Sequence, residues 1–342
     1  MIRRNLIKAL CILILSGAGI FIFSLMKHKN DILKQSQRIY TILNEHRIEY
    51  DIDEHSINST SDTATQASVG VEQCLQNISY FVTRNKPITM LLVGFPFKSN
   101  NVEEKVISTL PDMAERKSLE YLQEIVNEIK KVYSPGAKIM IFCDGIPFAE
   151  FLGIPFDQVT LYEKTLKQLA ADLVDITIYT SENMLNTHTF SNLLEIINHI
   201  DQYPPSDKEF KETLKSIPET ILKRIALELN YPQGKLLLKK HSLEDIVIAL
   251  SAREMRLRSY IAKAFPSPDF FRLTVHFTKD ISKKFGIRLS PTSDITPYHG
   301  TLVEEIDGSW AIRFKKDIDK DYYQLQSRLI NGIKCNYFKR IN

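Results

Sequence analysis

Residues 88–97 read ITMLLVGFPF and residues 138–143 read KIMIFC. Each is a continuous apolar run, the pattern of a strand buried on both faces of a parallel sheet. Between them Pro111-Asp112 opens a helix predicted over 112–132, and Leu119, Leu122, Ile125, Val126 and Ile129 share one face at helical spacing. Ser134-Pro135-Gly136 ends it. A third run at 175–179 follows a helical stretch over 157–173. Strand, helix, strand alternation specifies an α/β fold, here a Rossmann-like, mostly parallel sheet flanked by helices.

Working outward, residues 191–265 carry helical patterns broken at Tyr203-Pro204-Pro205 and Tyr231-Pro232-Gln233-Gly234. After Pro266 the chain becomes β-rich: RLTVHF at 272–277 alternates as a strand does. Thr301-Leu302-Val303 and Ile312-Arg313-Phe314 straddle Asp307-Gly308, a hairpin signal. On the amino-terminal side, residues 51–68 (DIDEHSINSTSDTATQAS) are polar and read as a linker. Ile32, Ile39, Ile42 and Leu43 predict an amphipathic helix from Asp31 to about Ile48. Residues 9–26 (ALCILILSGAGIFIFSLM) carry no charge and, as a helix, extend about 27 Å, near the thickness of a bilayer core. Without an A-x-A-like cleavage site before Lys27-His28-Lys29, this run predicts an uncleaved N-terminal transmembrane helix rather than a signal peptide. The expected organisation is a membrane anchor at 1–29, an amphipathic helix and linker at 30–74, and a catalytic domain at 75–342.

The 342 residues are 44% hydrophobic and 25% charged, an ordinary globular composition that excludes a disordered or collagen-like chain. With 44 Lys+Arg against 41 Asp+Glu the net charge is only +3, and no basic cluster points to nucleic acid. Cys11 lies in the apolar run, and Cys74, Cys143 and Cys335 have no metal-ligand spacing, so neither a zinc site nor a disulfide framework is predicted. No G-x-S-x-G, P-loop, GxGxxG or HExxH motif occurs in the predicted domain, which removes the commonest hydrolase, nucleotide and zinc-protease readings.

In an open parallel sheet, ligands bind beyond the carboxyl ends of the strands. Two loops there are unusual. Lys98 and Ser99 leave the first run into a polar loop able to receive an anion, and Asp144-Gly145 leaves the second. Each has a plainer reading, a solubilising lysine and generic Asp-Gly turn chemistry. Arg116, four residues after Asp112, either pairs with it along the helix or aims at an anion near Lys98. Arg272 and Arg288 add cations in the β-rich part, where His276 on its alternating strand reads as structural. His299, between Tyr298 and Gly300, is placed to act as an acid or base.

FPFKSNN, KVISTLPDMAERKSLEYL, YSPGAKIMIFCDGIPFAEFLGI and TPYHGTLV together resemble the pyoverdine/dityrosine biosynthesis family of isonitrile (isocyanide) synthases, in the same order over about residues 75–305. The family commonly reads KSPN where this chain has KSNN, and a basic residue at the position of Ile146. The resemblance implies condensation of an amino acid, tyrosine or tryptophan, with ribulose 5-phosphate, whose carbon turns the amine into an isonitrile. It implies no metal or other cofactor, and a downstream iron/2-oxoglutarate oxygenase as a partner. Both substrates are anionic, so Lys98, Ser99, Arg116, Arg272 and Arg288 are expected to bind them, and Asp144 and His299 to transfer protons. An amino-acid formylating relative and a non-catalytic, membrane-tethered homologue are the alternatives. Because ribulose 5-phosphate is cytosolic, the expected location is the cytoplasmic membrane, single-pass, with the catalytic domain facing the cytoplasm.

Overall fold

The computed structural model describes residues 26–48, 62–188, 190–204, 219–276, 281 and 283–341. Its centre is a five-stranded parallel sheet of β1 (Ile88–Val93), β2 (Ala137–Phe142), β3 (Ile176–Tyr179), β4 (Phe271–Thr274) and β5 (Phe285–Gly286), in the order β3-β2-β1-β4-β5. The chain steps outward from β1 to β3 and then returns to the other side of β1, so the topological switch point lies between β1 and β4.

Ten helices flank the strands in the described residues: α1 (26–45), α2 (Asp62–Thr83), α3 (Met113–Val132), α4 (Gly145–Ala149), α5 (Phe156–Leu169), α6 (Ser181–His188), α7 (Leu193–Asp201), α8 (Glu219–Glu228), α9 (Pro232–Leu238) and α10 (Leu243–Ala264). Alternation along the buried strands sends Met90 and Leu92 into a core shared with α1, α2, α3 and α5. Leu91 and Phe142 point the other way, onto α6, α7 and α10. α3 starts where the sequence predicts. Asp112 is its N-cap, accepting from the Ala114 N–H, while Glu115 reaches back to the Asp112 N–H in a capping box.

A second, mixed sheet of β6 (Thr301–Glu304), β7 (Trp310–Arg313), β8 (Tyr323–Ile330) and β9 (Ile333–Arg340) has the order β7-β6-β9-β8 and lies against α3 and α5. The predicted hairpin across Asp307-Gly308 is β6–β7, antiparallel, with Gly308 at φ 83.

The α/β class and the parallel sheet match the sequence reading, but the membrane part of it is corrected. Among the described residues no helix is long and apolar enough to cross a membrane, so a transmembrane helix and a single-pass membrane location are not supported. The run at 9–25 on which that expectation rested lies outside the described residues. Within the described residues 26–45, α1 is amphipathic: Ile39 and Leu43 are buried in the core, while its other face carries exposed lysines. Residues 62–68, read as linker, form the first turns of α2, and 51–61 lie outside the described residues. The strand predicted over 272–277 runs instead from Phe271 to Thr274.

Candidate active site at the carboxyl end of the sheet

The loops after β1 and β2 cross at the carboxyl end of the sheet. A Cβ on Gly145 would lie 2.0 Å from the Pro96 carbonyl oxygen, so only glycine fits there. The Asp-Gly pair is therefore a close crossing of two chain segments rather than a generic turn. Phe95, fully buried, takes φ 58 as the chain leaves β1, a left-handed conformation that costs a non-glycine residue energy. Its ring packs edge-on against Tyr298.

Lys98 is fully buried. It donates to Asp112 Oδ1 (3.1 Å), Glu115 Oε2 (2.7 Å) and the Pro297 carbonyl (2.9 Å), which uses all three of its ammonium hydrogens. Burial opposes its charge, but the two carboxylates outweigh that and keep it protonated. Ser99 donates its N–H to the Tyr298 carbonyl (2.8 Å) and accepts from the Asn101 N–H through Oγ. These two residues thus fasten the loop after β1 to the α3 cap and to the 297–299 segment that carries His299.

Arg116 turns away from this loop. It forks onto Asp172 (2.5 and 2.8 Å), donates to the Leu169 carbonyl (2.6 Å) and pairs with Glu120 (2.7 Å), so neither its partner nor its direction is the one expected from Asp112. Arg288 donates to the Glu45 carbonyl (2.7 Å) near Tyr121, on the α1 and α3 side of the sheet.

Asp144 and Arg272 occupy the opposite face, toward α10. Arg272 is in register with Leu91, whose side chain belongs to that face. Its guanidinium makes no hydrogen bond or ion pair among the described residues, its Nε is fully buried, and burial pushes it down to about 10. Asp144, two residues beyond Phe142, has a buried Oδ1 without a partner among the described residues. Burial pushes its carboxyl up to about 7, with Glu254 of α10 and Glu163 of α5 raising it further and Lys284 opposing. Glu163 accepts from the Ser181 N–H (2.9 Å) and Oγ–H (2.5 Å), and burial raises it to about 7 as well. It lines a cavity of about 710 Å³ between α5 and α6 at the end of β3.

His299 lies in the short 297–299 turn before β6, its side chain one-third exposed. Its Nδ1 lies 3.1 Å from Glu228 Oε2 and 3.2 Å from Lys105 Nζ, and Lys105 itself pairs with Glu228. Burial and Lys105 lower the imidazole below its ordinary value, against the pull of Glu228. Arg224 of α8 acts on both His299 and Tyr298, and the carboxylate of Asp144 also raises the Tyr298 hydroxyl. His276, at the end of β4, faces Glu254, Arg224, His299 and Arg258 and is likewise lowered by burial.

Of the seven predicted residues, Asp144 and Arg272 lie on the α10 face of the sheet, His299 lies in the 297–299 turn before β6, Lys98 and Ser99 fix the loop after β1, and Arg116 and Arg288 are engaged elsewhere. Lys105 and Glu228 escaped the sequence reading because 123 residues separate them. Their only sequence signal is a charged residue on an otherwise amphipathic stretch. Among the described residues no group of His, Cys, Asp and Glu is arranged to hold a metal ion.

An α/β domain with buried titratable groups near the carboxyl ends of its strands has the layout of an enzyme. The chain belongs to the pyoverdine/dityrosine biosynthesis family, whose model, described as pyoverdine/dityrosine biosynthesis protein, matches residues 78–236 and 237–326. The L-tryptophan isonitrile synthase AmbI2 of Fischerella ambigua is 30% identical over 254 residues, covering 71% of this chain and 75% of that protein. The L-tyrosine isonitrile synthase of Xenorhabdus nematophila is 28% identical over 326 residues, covering 90% and 92%. The crystal structure of PvcA from Pseudomonas aeruginosa superposes with a TM-score of 0.74 at 23% identity, over 90% of this chain and all of that one, and so shares the fold.

Proposed function

We propose that this protein is an isonitrile synthase that converts the amino group of tyrosine or tryptophan to an isonitrile, with ribulose 5-phosphate as the carbon donor. The names of its relatives support the reaction class. The observation in this chain that carries the reading is Arg272, a largely buried guanidinium with no counterion among the described residues, on the same face of the sheet as Asp144. A buried charge is costly unless it is paired, and an anionic substrate supplies the pair.

In this scheme the amine adds to the donor's ketone and water leaves, giving an imine. His299, neutral near pH 7, takes a proton from the substrate ammonium, and Asp144, protonated in part at that pH, gives one to the departing hydroxyl. The later carbon–carbon and carbon–oxygen cleavages call on the same pair. Lys98 acts from below, holding the 297–299 segment in place.

The test is mass spectrometry of purified protein incubated with tyrosine or tryptophan and uniformly ¹³C-labelled ribulose 5-phosphate. An isonitrile carrying one labelled carbon is expected. Arg272→Met should raise KM for the sugar phosphate about tenfold or more, the loss of a hydrogen bond to a charged group. A labelled formyl product would move the chain to the formylating branch, and an unlabelled product would remove ribulose 5-phosphate as donor.

A further inference from the structure

We infer that Glu228 and Lys105 are positioning residues that fix the tautomer and set the basicity of His299. This inference rests on the reading of His299 as the base of the proposed synthase. Glu228 is buried at the C-terminal end of α8, where the helix dipole disfavours negative charge, and its Oε1 has no partner among the described residues. A carboxylate so placed is not explained by helix stability. Nor is it needed to join α8 to the loop after β1. Asn101 Nδ2 already donates to the Leu227 carbonyl (2.9 Å), and Asn230 Nδ2 to Glu104 Oε1 (2.8 Å).

Two neighbours bear on Nδ1: Glu228 Oε2 at 3.1 Å can only accept, and Lys105 Nζ at 3.2 Å can only donate. Lys105 already donates to Glu228, so we place the hydrogen on Nδ1, donated to Glu228, with the Lys105 charge, shared with Glu228, beside the ring. Nδ1 is thereby occupied, and on this assignment Nε2 carries the ring's lone pair. Glu228 orients the ring, while Lys105 keeps it from being trapped as an imidazolium. Among the described residues, the charged or titratable groups facing His299 are Lys105 from the loop after β1, Glu228 and Arg224 from α8, His276 beyond β4, and Tyr298, whose ring packs edge-on against the imidazole. Of these only Glu228 and Lys105 lie within hydrogen-bond distance of Nδ1.

Two substitutions of opposite charge effect test this. Glu228→Gln preserves shape but removes the charge that favours the imidazolium, so the His299 pKa should fall by about one pH unit; Lys105→Met should raise it by a similar amount. Both are read by NMR titration of selectively labelled imidazole in the full chain, with ¹⁵N shifts assigning the tautomer, so the outcome does not depend on turnover. Thermal melts establish that each variant is folded, and Lys105→Gln serves if Lys105→Met unfolds. If the chain makes isonitrile, the acidic limb of its pH–rate profile should move in the same two directions. Folded variants with an unmoved His299, shifts of the same sign in both, or a wild-type proton on Nε2 would each overturn the inference. A chain that makes no isonitrile but shows the opposed shifts would refute the proposed reaction and leave the positioning intact.

Discussion

Asp144 carries a measurable conflict between folding and chemistry. Its carboxyl is raised to about 7 by burial, so the folded chain binds that proton more tightly than the unfolded one. The stability it contributes is complete below the ordinary carboxylate range, near pH 4, and is lost as pH rises toward about 7. Asp144→Asn removes that loss. The variant should match the wild type near pH 4, exceed it in stability at pH 8, and lose turnover by about 10²- to 10⁴-fold. Urea unfolding at the two pH values, paired with the isonitrile assay, checks this, and a variant equally destabilised at both would contradict it. The type and place of this residue were legible in the sequence, because a carboxylate directly after a buried parallel strand must stand at the sheet end. Its raised pKa was not, since it comes first from burial by the surrounding elements and then from Glu254 and Glu163 arriving from α10 and α5.

At the level of elements, α3 is held by two arginine and lysine hubs that sequence spacing misassigns. Asp112 and Arg116, four apart, invite pairing along the helix, yet an N-cap carboxylate must turn back to the first-turn N–H groups. That places Asp112 beside Lys98 and frees Arg116 to join the turn after α5 at Asp172, where Asn331 of the β8–β9 turn also donates (2.8 Å). Lys98→Met should therefore act first on the fold. It strands Asp112 and Glu115 as buried charges, at a cost of about 3–5 kcal/mol seen as a lower urea midpoint. A Lys98→Met protein of unchanged stability but weakened sugar-phosphate binding would show instead that the lysine serves the ligand. The regular elements were well marked by their patterns: β1, β2, β3, α3 and α5 all lie within a few residues of the predicted bounds. Neither α2 nor the β8–β9 pair was seen, for polar stretches such as residues 62–68 carry little periodicity, and exposed β8 has few inward apolar residues.

For the whole molecule, the core does not begin at the first strand. α1 buries Ile39 and Leu43, Ser36 bonds Ser79 of α2 (2.9 Å), and His46 bonds Tyr121 (2.7 Å) and Glu128 (3.0 Å) of α3. A chain starting at residue 26 should keep wild-type stability, whereas one starting at residue 48 should lose about 3–6 kcal/mol from two buried aliphatic side chains alone. Comparing their thermal melts decides it, and equal melting temperatures would show α1 to be dispensable. The second sheet has a different consequence, one of timing. β9 follows β6, β7 and β8 in the chain yet lies between β6 and β8, pairing in parallel with one and antiparallel with the other. On the ribosome, the β6–β7 hairpin emerges without the neighbour that will cover its open edge, and the 297–299 segment just before β6 emerges with it. The nascent protein can thus build its five-stranded sheet early, while the second sheet stays half-paired until β9 is released from the exit tunnel to close the gap between β6 and β8.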